Sequence, residues 1–182
     1  MEILLAALIV GVIGIALAAL TTAAVREGGV GRTKVMLRQQ LSLALRQLRQ
    51  DIEQSSSIDF EASPGVGMTL WQRYSLGPHH TAPRQIEYRF RPDHHQIGAG
   101  GGYIGGVIER KVNGGTTEVW LSNVKEISRE GFSSPSFESY GASHNAVRVR
   151  IIVEVPTEPV VNDVIDEVFM LPQGYDVENL FH

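Results

Sequence analysis

The sequence contains no cysteine. That excludes disulfide scaffolds, thiolate zinc sites and cysteine nucleophiles together. It leaves the compartment open, because an extracytoplasmic domain with a sufficient core folds without disulfides. Charge is absent from residues 3–25 and falls almost entirely after Arg26. No basic patch with interleaved aromatics follows, and a net charge of −4 gives nucleic acid no electrostatic attraction. The 182 residues suffice for one domain with a core plus an appended element.

What is present begins with that uncharged run, ILLAALIVGVIGIALAALTTAAV. About 20 apolar residues span the hydrocarbon of a bilayer as a helix, so the run is long enough to cross. A cleaved signal peptide is one reading, with an AxA-type site inside ALTTAAV. Against it, no basic region precedes the run, and the run exceeds the usual apolar core of a signal, roughly 7–15 residues. A plain signal-anchor is a second reading. A third rests on Glu2, at the very start of the apolar stretch. A carboxylate there faces a high desolvation cost unless it meets a positive partner. A polymerising helix supplies one as the N-terminal amine of a neighbouring subunit.

The segment Met1-Glu2-Ile3-Leu4-Leu5-Ala6-Ala7-Leu8-Ile9-Val10 resembles the N-terminal helix of type IV pilins and type II secretion pseudopilins. Processed chains of that family begin with Phe and a short Thr-Leu-x stretch, followed by the glutamate and an apolar run. The present chain is similar to that pattern entered just before the glutamate. The basic leader, the glycine before the peptidase cut and the methylated Phe do not precede Met1, and truncation is the expectation. Gly11 and Gly14 lie inside the apolar run, where small residues permit close helix–helix approach. Arg26, Arg32, Lys34 and Arg38 follow the run. The positive-inside rule would place that side in the cytoplasm, whereas the resemblance implies the opposite orientation.

After a glycine patch (Gly28, Gly29, Gly31), taken as flexible, residues 33–54 read as a second helical stretch. Leu37, Leu41, Leu45, Leu48 and Ile52 recur at spacings of four and three and form one apolar face. That face is expected to pack on a sheet, and Ser55, Ser56 and Ser57 mark its stop. From Ile58 the period changes. Ile86, Tyr88 and Phe90 alternate with polar residues, and residues 107–112 and 116–121 flank Asn113-Gly114-Gly115, a hairpin signal. Residues 146–155 alternate most clearly, and residues 164–171 read as a last strand. Strands in series without helices between them predict an antiparallel sheet.

This order of segments is also similar to one branch of the family: the J-type minor pseudopilins of type II secretion (the GspJ family) and the PilW-like minor pilins. The residues carrying it are Arg49-Gln50-Asp51-Ile52-Glu53, Ile86-Glu87-Tyr88-Arg89-Phe90, Leu121-Ser122-Asn123-Val124-Lys125-Glu126-Ile127-Ser128 and Val147-Arg148-Val149-Arg150-Ile151. The resemblance implies a structural role in a tip complex that primes a short periplasmic filament.

Chemistry-bearing candidates are weaker. His79-His80 and Asp93-His94-His95 invite a metal reading, but adjacent histidines in a strand point to opposite faces. Gly98-Ala99-Gly100-Gly101-Gly102-Tyr103-Ile104-Gly105-Gly106 lacks the Lys-Ser/Thr of a phosphate loop and reads as a flexible inter-strand loop. Ser143-His144 has no GxSxG elbow beside it. Asp163, Asp166 and Glu167 lack the ligand spacing of an EF-hand calcium loop and read as a solvated strand edge.

The sequence therefore predicts an α+β, pilin-like fold without catalytic residues, cofactor or metal. Residues 1–25 are assigned to a membrane and polymerisation helix, 26–57 to an amphipathic continuation and 58–182 to an extracytoplasmic β-rich domain. Glu2, Gly11 and Gly14 are the assembly residues that the resemblance implies. The implied partners are other pseudopilin or pilin subunits (I- and K-like minor subunits and the major subunit), membrane lipid before assembly, and a prepilin peptidase acting on the precursor. The implied location is the inner membrane, single-pass, with the C-terminal domain in the periplasm or cell exterior. A membrane-anchored binding module or enzyme with no role in a filament is the alternative.

Overall fold

The structure is a computed structural model that describes residues 2–60, 67–75, 81–129, 132–141, 146–157 and 159–172. Within these ranges, side chains are described except at 2–14, 16, 73–75 and 81–83.

One helix, α1 (Glu2–Glu53), takes up the whole N-terminal part of the chain. At 1.5 Å per residue it is about 78 Å long. It is the one long N-terminal helix that the sequence predicts, and it runs unbroken through Gly28, Gly29 and Gly31, which corrects the expectation of a flexible patch there. Each glycine costs about 1 kcal/mol in a helix interior. Each still supplies its backbone N–H, however, and helical turns continue on both sides. A proline would have been needed to break the ladder.

The helix ends where the serines begin. The Ser55 hydroxyl donates to the Ile52 carbonyl at 2.7 Å, and the Gln72 amide donates to the Asp51 carbonyl at 3.1 Å. Both occupy carbonyls of the final turns that lack helical partners. The Ser56 N–H then donates to the Trp71 carbonyl at 2.6 Å and starts the first strand pairing.

The strands are β1 (Ser57–Phe60), β2 (Gly67–Ser75), β3 (Thr81–Arg91), β4 (Gln96–Ile97), β5 (Tyr103–Val112), β6 (Thr117–Arg129), β7 (Phe132–Ser134), β8 (Ser136–Tyr140), β9 (Ala146–Val155) and β10 (Val161–Met170). They form a 10-stranded sheet in the order β1-β2-β3-β5-β6-β9-β10, with β4 on β5, β7 on β6 and β8 on β9. Every pairing is antiparallel, as a series of strands without intervening helices requires. The hairpin between β5 and β6 turns at Asn113 and Gly114, with φ of 49° and 68°. The last strand begins at Val161, earlier than the alternation predicts. Asn162 and Asp163 interrupt the apolar pattern but still pair with Glu154 and Val153.

One core joins helix to sheet. Leu37, Leu41, Ala44, Leu48 and Ile52 bury against Ile58, Leu70, Ile86, Tyr88, Ile108, Phe137, Val149, Ile151 and Ile165, among others. The predicted Leu stripe is therefore the helix's contribution to the core, with Leu45 half-buried beside it. Only the C-terminal part of α1 takes part. The molecule is α+β, a long N-terminal helix packed against an antiparallel sheet.

Candidate functional site: a projecting helix and its anchorage

The N-terminal part of α1 extends away from the sheet. Where side chains are described there, Ile15, Leu17, Leu20 and Val25 face solvent and Val30 is half-buried against the core. Further along, Val35, Met36 and Leu43 are exposed on the side of the helix away from the sheet. Val25 is 75% exposed while Leu48 is 0%, so one helix changes from an uncovered apolar rod to a core element. Among the described residues, no helix is long and apolar enough to cross a membrane. Most of the apolar run lies among the positions whose side chains are not described.

The rod is anchored by a polar network that sequence reasoning missed. Asp51 sits on the apolar stripe between Leu48 and Ile52, in the last turn of α1. Carboxylates are disfavoured at a helix C-terminus by the peptide dipoles and in a core by desolvation. Three donors offset both effects: Arg110 Nε to Asp51 Oδ2 at 2.8 Å, Arg110 Nη2 to Oδ1 at 3.3 Å, and the Tyr88 hydroxyl to Oδ2 at 2.6 Å. Tyr88 is 1% exposed and meets the Trp120 ring edge-on at 5.1 Å. Burial, and then the adjacent Asp51 carboxylate, push the Tyr88 phenol well above its ordinary value. Burial alone would lower the Arg110 guanidinium, but its hydrogen bond to Asp51 holds it above its ordinary value. The network ties the end of α1 to β2, β3 and β5 at once. The signal available in the sequence was an acid on an otherwise apolar helical face.

A second buried pair was also missed. Lys125 Nζ lies 2.6 Å from Glu154 Oε2, with the two residues 3% and 2% exposed. Glu154 Oε1 accepts the Ala99 N–H at 2.7 Å, and Lys125 donates to the Ala99 carbonyl. A Cβ at Gly98 would collide with Glu154 and Ile104. Arg129 Nη2 donates to the Gly100 carbonyl at 2.7 Å. The glycine-rich segment is thus a clamped turn between β4 and β5, running on into β5, and not the flexible loop that its composition predicts.

Glu2, Gly11 and Gly14 all fall on α1, and their side-chain surroundings lie outside the described residues. So do His79, His80, Ser143 and His144. His94 Nε2 lies 2.9 Å from Glu126 Oε2, with its ring 4.7 Å from that of Tyr103, and the Asp93 carboxylate accepts the His95 N–H at 3.0 Å. Among the described residues, no three His, Asp or Glu side chains converge on a point that could hold a metal ion. Asp163 and Glu167 point toward the helix and pair with Arg38 and Arg49 at 3.5 and 3.8 Å. Asp166 faces the other way and pairs with Arg148 at 2.8 Å. The acids in β10 are therefore each matched to an arginine. The Arg148 hydrogen bonds hold the Asp166 carboxyl below the usual carboxylate range.

No family model, curated protein or solved structure matches the chain. The functional reading therefore rests on the residues and on the geometry just described.

Proposed function

We propose that the chain is a structural subunit of the minor pilin or minor pseudopilin kind, which assembles with like subunits into a type II secretion pseudopilus or a type IV pilus. The single observation that carries this reading is the unequal use of α1. A helix whose C-terminal stripe is buried at Leu37, Leu41, Leu48 and Ile52 leaves apolar side chains uncovered over its preceding turns. Such a surface needs lipid or other apolar helices around it. A subunit held in the inner membrane and then transferred into a filament core meets both in turn. The clamped anchorage supports the reading as well, because a projecting helix transmits position to the β-domain only if its base is fixed.

On this reading Glu2 pairs with the N-terminal amine of a neighbouring subunit, and Gly11 and Gly14 let adjacent helices approach. The partners are I- and K-like minor subunits and a major subunit. The β-domain stands in the periplasm or at the cell exterior, and the fold needs no catalytic residue. The test uses Glu2→Ala in the full-length precursor, co-expressed with a prepilin peptidase and companion subunits. The variant β-domain is expected to melt as the native one does, while its recovery in sheared filaments falls about tenfold or more, equivalent to losing roughly 1.4 kcal/mol of contact energy. Undiminished incorporation would overturn the mechanism.

A further inference from the structure

Strand β10 ends the sheet, and its outer edge pairs with no strand among the described residues. In an antiparallel ladder, successive residues direct their backbone groups to opposite sides. The Val164 N–H donates to Asp163 Oδ1 at 3.0 Å, and the N–H of its register partner Ile152 donates to the Ser134 hydroxyl at 2.9 Å, so the two form a non-hydrogen-bonded pair of the ladder. That places the N–H and C=O groups of Asn162, Val164, Asp166, Val168 and Met170 on the outer edge. The side chains of the same residues line the outer face, where Val164, Val168 and Met170 are 56%, 43% and 64% exposed. Edge strands are usually blunted by charged side chains, proline, a bulge, brevity or a covering element, because they recruit other strands. The charges of β10, on Asp163, Asp166 and Glu167, are each held by an arginine. β10 is 10 residues long, has no proline or lysine, and keeps an unbroken register against β9.

A groove of about 590 Å³ runs between this strand and α1. Leu41 and Leu45 contribute apolar surface to it, and Arg38, Arg46 and Arg49 line the helix side. Arg38 and Arg49 are shared with Asp163 and Glu167, whereas Arg46 has no acidic partner among the described residues. The groove therefore offers a row of backbone hydrogen-bonding groups, an apolar wall and one uncompensated cation.

We propose that this groove binds an extended segment of a partner protein, which adds to the sheet as a strand beside β10 and brings an acidic side chain to Arg46. The backbone edge decides the conformation of the occupant, because only an extended chain can match alternate N–H and C=O groups. Arg46 decides its charge, and the valine row decides its alternation. A second copy of β10 fits poorly, since it would set Asp163, Asp166 and Glu167 against the same acids. Asp163, held by Arg38, acts as a plug on the Val164 N–H that the incoming strand displaces. The proposal does not depend on the filament reading.

The test uses the full chain in detergent micelles and a fluorescein-labelled nonapeptide of alternating valine and threonine with one central glutamate. A second probe is the same peptide N-methylated on alternate amides. Anisotropy should report saturable binding, and hydrogen exchange should slow at Val164, Val168 and Met170. Val168→Pro removes an edge N–H without touching the β9 ladder and should weaken binding about tenfold, the loss of roughly 1.4 kcal/mol. Arg46→Glu should weaken it by a similar factor at low salt, with the melting curve unchanged. Equal binding of the N-methylated peptide, or of both variants, would overturn strand addition. So would absence of binding at millimolar peptide. Amides of Val168 and Met170 already protected in the peptide-free chain would show that the edge is filled, by the chain itself if it sediments as a monomer or by a second copy if it does not. Either result overturns the proposal of a separate partner.

Discussion

Asp51 occupies a place that desolvation and the helix dipole both disfavour, and its neighbours explain how it stays. Removing Arg110 while keeping the acid leaves a buried charge with only Tyr88 to satisfy it. Arg110→Met is therefore expected to lower stability by about 3–5 kcal/mol, read by urea unfolding. Adding Asp51→Leu to that variant should restore part of the loss, because the uncompensated charge is then gone. Tyr88 gives the same site a pH signature. Its phenol is raised in the folded chain, so the folded state keeps a proton that the unfolded chain releases near pH 10. Stability is then full below about pH 10 and falls as pH rises beyond it. Tyr88→Phe should cost about 1–2 kcal/mol at neutral pH and flatten the alkaline fall in a melting series. This site was only half legible in the sequence. The acid on the Leu stripe is visible at once, but its partners lie 37 and 59 positions away. No local period connects them.

Elements were legible in proportion to how far local pattern alone determines them. β9 matches its predicted bounds because Val147, Val149, Ile151 and Val153 keep one apolar face, although Ile152 interrupts the polar one. The Leu stripe of α1 and the turn at Asn113 and Gly114 were equally plain. β1, β7 and β8 carry too few residues for a period to show, and β2 mixes Trp71, Gln72 and Arg73 into its alternation. These strands exist because neighbours pair with them. Glycine misled in both directions, and both cases can be tested. A Cβ at Gly28, Gly29 or Gly31 would meet nothing within 4 Å. Replacing all of them by alanine should therefore slow amide exchange in mid-helix, each change adding roughly 0.8–1 kcal/mol of helix propensity. Gly98→Ala should do the reverse and destabilise the β-domain by about 1–3 kcal/mol in a thermal melt, since Glu154 and Ile104 must move.

For the molecule as a whole, the order of elements and the antiparallel sheet followed from the change of period at Ile58. The continuity of α1 followed in part: residues 26–57 read as a continuation of the first helix, but the glycine content argued for a flexible patch that the hydrogen-bond ladder does not require. The division of α1 into a buried base and an uncovered shaft separates folding from association experimentally. Val25→Lys and Met36→Lys change exposed positions and should leave the melting of the β-domain within about 0.5 kcal/mol. The same substitutions should reduce helix–helix cross-linking between cysteines introduced into this otherwise thiol-free chain. Altered melting with intact cross-linking would reverse that assignment.

The direction in which the helix meets the sheet has a mechanical consequence. Arg38 reaches Asp163 and Arg49 reaches Glu167, so α1 and β10 advance in the same sense along their contact. The contact covers about 16 Å of helix axis against about 13 Å of strand. Tension applied to the far end of α1 arrives along that seam as shear. The leucines, both ion pairs and the Asp51 network then strain together, and none can peel open ahead of the rest. A chain pulled by its projecting helix holds until the whole face slides.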